Sequence, residues 1–95
     1  MTAYVVARVA IHDRARYDRY ALGFMRVLGR YDGRLLASDA APEVMEGEDG
    51  RKLVLLAFAD RDAALTWANS PEYWEIAQDR IAGAAVESVM VEGFG

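Results

Sequence analysis

Several things are scarce in this 95-residue chain, and each absence removes a class of function. Cysteine is absent, which removes disulfides, thiolate catalysis and cysteine-ligated zinc. His12 is the only histidine, so a histidine-rich metal site is excluded. The longest apolar run, Leu53 to Ala59, is far too short to cross a bilayer.

Positive charge is scarce as well. The chain has 11 basic residues against 15 acidic ones, and the basic residues are scattered from Arg8 to Arg80 without a run. Because binding to a phosphate backbone needs a concentrated positive patch, we expect neither nucleic acid nor a membrane surface as a partner. The first residues also lack the basic-then-apolar pattern of a signal peptide, so the cytoplasm is the expected location.

What is present is an alternation of strand and helix patterns. Predicted strands cover 3–11, 34–38, 53–59 and 85–91, with 43–46 as an extension of the second and 47–50 as a hairpin turn. The first predicted helix follows Asp13 and runs to Arg30; the second, over 60–83, is broken in two, with Asp60 and Ser70 as N-caps. Gly23 lies near the apolar stripe of the first helix and could allow close approach to the sheet.

The order β-α-β-β-α-β predicts a single α+β domain over residues 1–95, a ferredoxin-like sandwich with a four-stranded antiparallel sheet. The first and third strands should be central and the other two should form the edges, where charges such as Arg34 and Glu87 suit exposure.

Both faces of the predicted sheet are apolar, but its helices can cover only one of them. If the other face were in water, each strand should alternate apolar residues on the covered face with polar residues on the exposed face. Instead Leu53, Leu55 and Ala57 oppose Val54, Leu56 and Phe58, and Val89 and Val91 oppose Val86 and Met90. A second copy packed face to face is the simplest cover, so we predict a homodimer.

Several segments match the pattern of one family in the same order along the chain; they include Ala3–Ala7, Tyr31–Leu35, Val44–Gly47, Asn69–Tyr73 and Val91–Gly93. With these segments the chain resembles a bacterial family, domain of unknown function 1330. Asp32 stands where a second glycine is common in the family, and Ala37–Asp39 where Arg-Gly-Gly is common. The resemblance implies a dimeric α/β barrel of ferredoxin-like subunits and no established reaction. Its wider superfamily includes cofactor-independent oxygenases, haem-degrading enzymes and lactone isomerases.

Arg8 is the charged residue that interrupts the first, otherwise apolar strand. It could hold a carboxylate ligand in a pocket, because its planar guanidinium suits bidentate contact. Alternatively, it could pair structurally with a carboxylate such as Glu87 or Glu92 on the neighbouring edge strand, and we favour this structural pairing over the ligand site.

A set of aromatic residues could line a small-molecule pocket between sheet and helices, or could simply form the core. The candidates are Tyr4, Tyr31, Trp67, Tyr73 and Trp74, with Asn69 and Arg80 as neighbouring polar groups. Trp67 and Tyr73 flank the break in the second helix and are the preferred ligand contacts.

His12 could act as a general base, although a solvated position at a strand–helix junction is the simpler interpretation. The acidic cluster Glu43, Glu46, Glu48 and Asp49 lacks the ligand spacing of a calcium loop. We therefore expect no metal and no organic cofactor.

Three functions follow from these patterns. The first is binding of, or action on, a small aromatic or carboxylate-bearing molecule in a sheet–helix cleft, held by Arg8 or Arg80 against Trp67 and Tyr73. The second is a structural or interaction module, which requires a cleft filled by its own side chains. The third, a cofactor-independent oxygenase, rests on superfamily analogy.

Overall fold

The computed structural model describes residues 1–95 as four strands and three helices. The strands are β1 (Ala3–Ile11), β2 (Arg34–Asp39), β3 (Lys52–Phe58) and β4 (Ala84–Glu92). The helices are α1 (Arg14–Arg30), α2 (Arg61–Ala68) and α3 (Pro71–Gly83). All neighbouring strands pair antiparallel in the order β2-β3-β1-β4, which confirms the βαββαβ ferredoxin-like fold and the central position of β1 and β3.

The helices begin where the sequence places their N-caps. Each predicted cap accepts a hydrogen bond from a backbone N–H in the first turn: Asp13 from Arg16, Asp60 from Ala63 and Ser70 from Tyr73. The Ser70 hydroxyl also donates to the Trp67 carbonyl at 2.8 Å, so one side chain ends α2 and starts α3. The predicted break in the second helix is therefore confirmed.

The connection between β2 and β3 differs from the prediction. Residues 43–46 do not extend the edge strand, and 40–51 form an irregular loop in place of a tight hairpin turn. Within this loop the glycine with a positive φ, 90°, is Gly47, and not Gly50 as an Asp49-Gly50 turn would require. The Asp49 carboxylate accepts hydrogen bonds from the Arg51 backbone N–H at 3.1 Å and from the Arg51 guanidinium. The Arg51 N–H is therefore not available for pairing with a neighbouring strand.

Side chains alternate between two faces of the sheet. We call the side under the helices the helix face; its central residues are Val5, Ala7, Val9, Val54, Leu56, Val86 and Ser88. We call the other side the open face; it carries Tyr4, Val6, Arg8, Leu53, Leu55, Glu87, Val89 and Val91. No helix covers the open face, so Val89 and Val91 stay 61% and 46% exposed.

The tightest packing lies at one end of the helix face. Phe58, Leu28 and Val27 are the largest fully buried side chains there. A Cβ at Gly33 would lie 2.7 Å from the Phe58 ring, so only glycine fits where α1 turns into β2. None of the three helices combines the length and apolar character of a membrane span.

The predicted close approach of Gly23 involves a helix and not the sheet. A Cβ at Gly23 would lie 2.8 Å from Ile76 Cγ2 of α3. The two long helices therefore pack against each other at this glycine, above the sheet and not into it.

Candidate functional site

A cleft of about 570 Å³ separates the helix face from the helices. It is half-open to solvent, and 20 of its 25 lining residues are hydrophobic. The volume lies within the range of small-molecule sites, roughly 300–1,000 Å³. The sequence prediction of a sheet–helix cleft thus has a geometric counterpart.

The floor of the cleft is low because its central side chains are small. Ala7 of β1 pairs with Val54 of β3 on one side and with Ser88 of β4 on the other. All three line the cleft. A methyl group on the central strand cannot reach the helices above it, so the space stays unfilled.

The roof is a closed circuit of aromatic rings from three helices. Tyr20 lies 5.5 Å from Phe24 and 6.2 Å from Tyr73, centroid to centroid. Trp67 closes the circuit at 6.3 Å from Phe24 and 4.4 Å from Tyr73. Several pairs are tilted or edge-on, the arrangements that aromatic rings prefer. The roof therefore presents a rigid, sparsely polar surface to any occupant.

Two buried N–H groups at the cleft have no hydrogen-bond partner. They are Trp67 Nε1 and Arg80 Nε. The Trp67 side chain is only 5% exposed, so water cannot easily satisfy its N–H. A buried unpaired donor costs about 1–3 kcal/mol, so an acceptor supplied by a bound molecule would remove that penalty.

The hydroxyl groups of Tyr20 and Tyr73 lie 3.0 Å apart within the roof. One donates to the other, and the accepting hydroxyl keeps its own hydrogen available to a third group. Burial, together with the neighbouring Tyr73, holds the pKa of Tyr20 far above its ordinary value. Tyr20 is therefore a neutral hydrogen-bonding group and not a base.

Lys52 and Tyr17 belong to the cleft, although the sequence analysis did not select them. The Lys52 ammonium lies 5.1 Å from the Tyr17 ring centroid, within cation–π range. Lys52 opens a strand beside a charged loop, where it resembles a solvated residue. Lys52 belongs to the same every-second-residue series as Val54, Leu56 and Phe58, and this alternation was the signal that places it on the helix face.

No carboxylate and no imidazole lines the cleft. Its polar groups are the side chains of Ser38, Lys52, Asn69, Arg80 and Ser88, the tyrosine hydroxyls and the indole N–H groups. No group of three His, Cys, Asp or Glu side chains could hold a metal ion. The cleft can therefore donate hydrogen bonds and offer positive charge, but it holds neither a carboxylate nor an imidazole to act as a general base.

Among the predicted site residues, those that line the cleft are Trp67, Asn69, Tyr73, Trp74 and Arg80. Arg8 and Tyr4 do not line it, because their positions in β1 put them on the open face.

Arg8 is ion-paired, as favoured, but its partner is neither Glu87 nor Glu92. Its Nε lies 3.3 Å from Asp49 of the 40–51 loop, and its side chain is 52% exposed. The pair therefore lies in solvent and not inside the sheet.

Tyr31 and His12 also lie outside the cleft. The Tyr31 hydroxyl donates to Glu72 Oε2 at 2.7 Å, which ties the end of α1 to the start of α3. That bond lowers the pKa of Glu72 and raises the pKa of Tyr31. His12 is exposed at the β1–α1 junction, where its backbone N–H donates to the Gly83 carbonyl at 2.9 Å.

Solved structures share the fold at low sequence identity. A protein of unknown function from Rhodopseudomonas palustris is similar with a TM-score of 0.82 and 13% identity, over 99% of this chain and 83% of that one. A dimeric ferredoxin-like protein of unknown function from Jannaschia sp. CCS1 gives 0.69 and 16%, over 98% and 100%. SnoaB, a cofactor-independent oxygenase from Streptomyces nogalater, gives 0.61 and 17%, over 99% and 94%. At these identities the likeness shows the fold alone.

The comparison with curated proteins finds no significant match. The sequence profile of the family described as domain of unknown function (DUF1330) matches residues 2–94, nearly the whole chain. The resemblance seen in the sequence is confirmed, and the chain belongs to the DUF1330 family.

Proposed function

We propose that the cleft binds a small aromatic molecule that carries a carboxylate. The observation that supports this most is the pair of unpartnered buried donors, Trp67 Nε1 and Arg80 Nε, in a mostly apolar cavity of about 570 Å³. An aromatic body would occupy the space under the ring circuit, and its carboxylate would accept from Arg80.

The cavity favours a binding role over the purely structural alternative, which requires a filled cleft. The oxygenase alternative has a specific difficulty. Oxygenation without a cofactor needs an electron-rich substrate anion, and the cleft has no carboxylate or imidazole to remove a proton. The likeness to SnoaB extends to the fold and supplies no such residue. Binding is therefore the function that we put forward.

We also propose that the chain forms a homodimer through its open face. Tyr4, Val6, Leu55, Val89 and Val91 form an apolar surface that no helix covers. A twofold axis would place the same surface of a second copy against it. The dimeric ferredoxin-like protein from Jannaschia shows that this fold can pair. We keep the cytoplasm as the proposed location, and we expect neither nucleic acid nor membrane as a partner, since the net charge is −4.

Titration calorimetry with 2-naphthoate and its neutral counterpart 2-naphthylmethanol tests the ligand proposal. We expect the acid to bind more tightly than the alcohol. Arg80→Met should weaken the acid by roughly 10–100-fold, because it removes a charge-assisted hydrogen bond, and should leave the alcohol nearly unchanged. Trp67→Phe keeps a ring but removes the N–H and should weaken the acid by a smaller factor.

Arg61→Met is the matched control, because Arg61 is exposed at the start of α2 and does not line the cleft. It removes the same charge without touching the site and should not alter binding. Failure of both probes to bind the wild type at millimolar concentration, or equal losses in Arg61→Met and Arg80→Met, would contradict the proposal.

A further inference from the structure

Two cations line the cleft. Arg80 reaches it from α3, and Lys52, the only lysine of the chain, reaches it from the start of β3. Both side chains are partly buried, and both line the same cavity. Positive charge is thus concentrated in the cleft of a protein whose net charge is −4.

Helix packing brings the α3 segment that carries Arg80 against the start of α1. Arg16 Nε contacts Asp79 Oδ1 at 2.7 Å, and Gly83 abuts the Tyr17 backbone. Arg80 lies between these two contacts in the sequence of α3 and lines the same cavity as Tyr17. Lys52 lies over the ring of Tyr17, 5.1 Å from its centroid.

Neither cation has a counter-charge. Five arginines of the chain pair with carboxylates: Arg8, Arg14, Arg16, Arg19 and Arg51. Lys52 and Arg80 form no ion pair. Each side chain is partly buried in a mostly apolar cavity, where a charge without a counter-charge loses hydration that a bound anion would replace.

Hydroxyl groups add to the polar lining of the cleft. Tyr17, Tyr20 and Tyr73 all line it, and the Tyr20–Tyr73 pair has a hydrogen to donate. The cleft therefore offers ammonium, guanidinium and phenol donors with no carboxylate acceptor among them.

We propose that the cleft is selective for an aromatic ligand with two adjacent acidic groups, one held by Arg80 and the other by Lys52. This inference rests on the proposed function, because it assigns the second charge of the same ligand. The aromatic body lies under the roof of rings, and the two anionic groups face the two cations.

The test compares 2-naphthoate with naphthalene-2,3-dicarboxylate by calorimetry on the wild type, Lys52→Met and Lys52→Arg. We expect the dicarboxylate to bind the wild type at least about tenfold more tightly than the monocarboxylate. Lys52→Met keeps the aliphatic stem and should weaken the dicarboxylate at least about tenfold more than it weakens 2-naphthoate, which abolishes the preference. Lys52→Arg should restore the preference, and Arg61→Met should leave it intact.

Each outcome decides a separate point. If 2-naphthoate binds and the dicarboxylate is no tighter, the two-anion ligand is wrong while the proposed function stands. If the preference exists but survives Lys52→Met, the assignment of Lys52 is wrong. If neither acid binds the wild type, the proposed function and this inference fail together.

Discussion

Both faces of the sheet have apolar side chains that do not pack against another part of the chain, but for different reasons. On the helix face these side chains line the cleft, which separates them from the aromatic rings above and which contains two unpartnered donors. On the open face they form a plane with no roof at all, and the charges at its end already pair, as Arg8 does with Asp49. The first pattern suits a small polar-tipped molecule, and the second suits a flat apolar partner.

The largest expected effect concerns the open face. Val89→Glu puts a charge on the exposed plane, and burying that charge against a second copy without a partner would cost several kcal/mol. We expect the wild type to be a dimer at micromolar concentration and the variant to be a monomer with unchanged circular dichroism. Sedimentation velocity measures both.

Leu22→Glu is the control for that experiment, because Leu22 is 86% exposed on α1, away from the open face. It should stay dimeric. A wild-type chain that sediments as a monomer, or a Val89→Glu variant that stays dimeric, would show that the open face is not the interface.

The second prediction compares the packed end of the helix face with its hollow centre. Phe58→Ala removes a ring that is 2% exposed and should lower the free energy of unfolding by about 3–5 kcal/mol. Val54→Ala on the same strand and face borders the cleft and should cost only about 1 kcal/mol, since its side chain is already partly unpacked. Urea unfolding measures both. Similar losses would mean that the centre is packed as tightly as the end.

The third prediction fills the hollow. Ala7→Leu places a larger side chain on the floor and should weaken 2-naphthoate at least about tenfold while leaving the free energy of unfolding within about 1–2 kcal/mol of the wild type. Ala15→Leu, on the exposed side of α1, is the control and should bind normally. Normal affinity in Ala7→Leu would place the ligand elsewhere.

The smallest effect is a pH dependence at the contact between α1 and α3. The hydrogen bond from Tyr31 lowers the pKa of Glu72 in the folded chain. A lowered folded-state pKa contributes stability above the ordinary glutamate value of about 4.5, and that stability is lost as the pH falls below it. Between pH 6 and pH 3 the melting temperature of Glu72→Gln should therefore fall by less than the melting temperature of the wild type. An identical loss in both proteins would contradict this contribution.

The fold was predictable because its signals are local. Asp13, Asp60 and Ser70 each begin a helix through a bond to a residue three positions on, and the apolar runs of β1 and β3 mark the central strands. The 40–51 loop was not predictable in the same way, because Asp49 also contacts Arg8 of β1, far away in the sequence. A contact of that kind has no fixed spacing in the sequence.

The site was predictable only in part. Trp67 and Tyr73 were identified from the break in the second helix, and Arg80 as a polar group near them. Arg8 was considered for the cleft, although it belongs to the same every-second-residue series as Tyr4 and Val6 on the opposite face. Lys52 was missed for the reverse reason, since its position beside a charged loop concealed its spacing from Val54. The odd or even position of each charged residue along its strand would have assigned Lys52 to the helix face and Arg8 to the open face.

Native mass spectrometry of the wild type with 2-naphthoate tests most directly whether the two faces have these separate roles. Two sheets packed by their open faces leave one cleft in each chain, so we predict a species of about 21 kDa, twice the 10.5 kDa chain, with two bound ligands. A monomer that binds one ligand would contradict the role of the open face. A dimer that binds a single ligand would place the site between the sheets and contradict the role of the cleft.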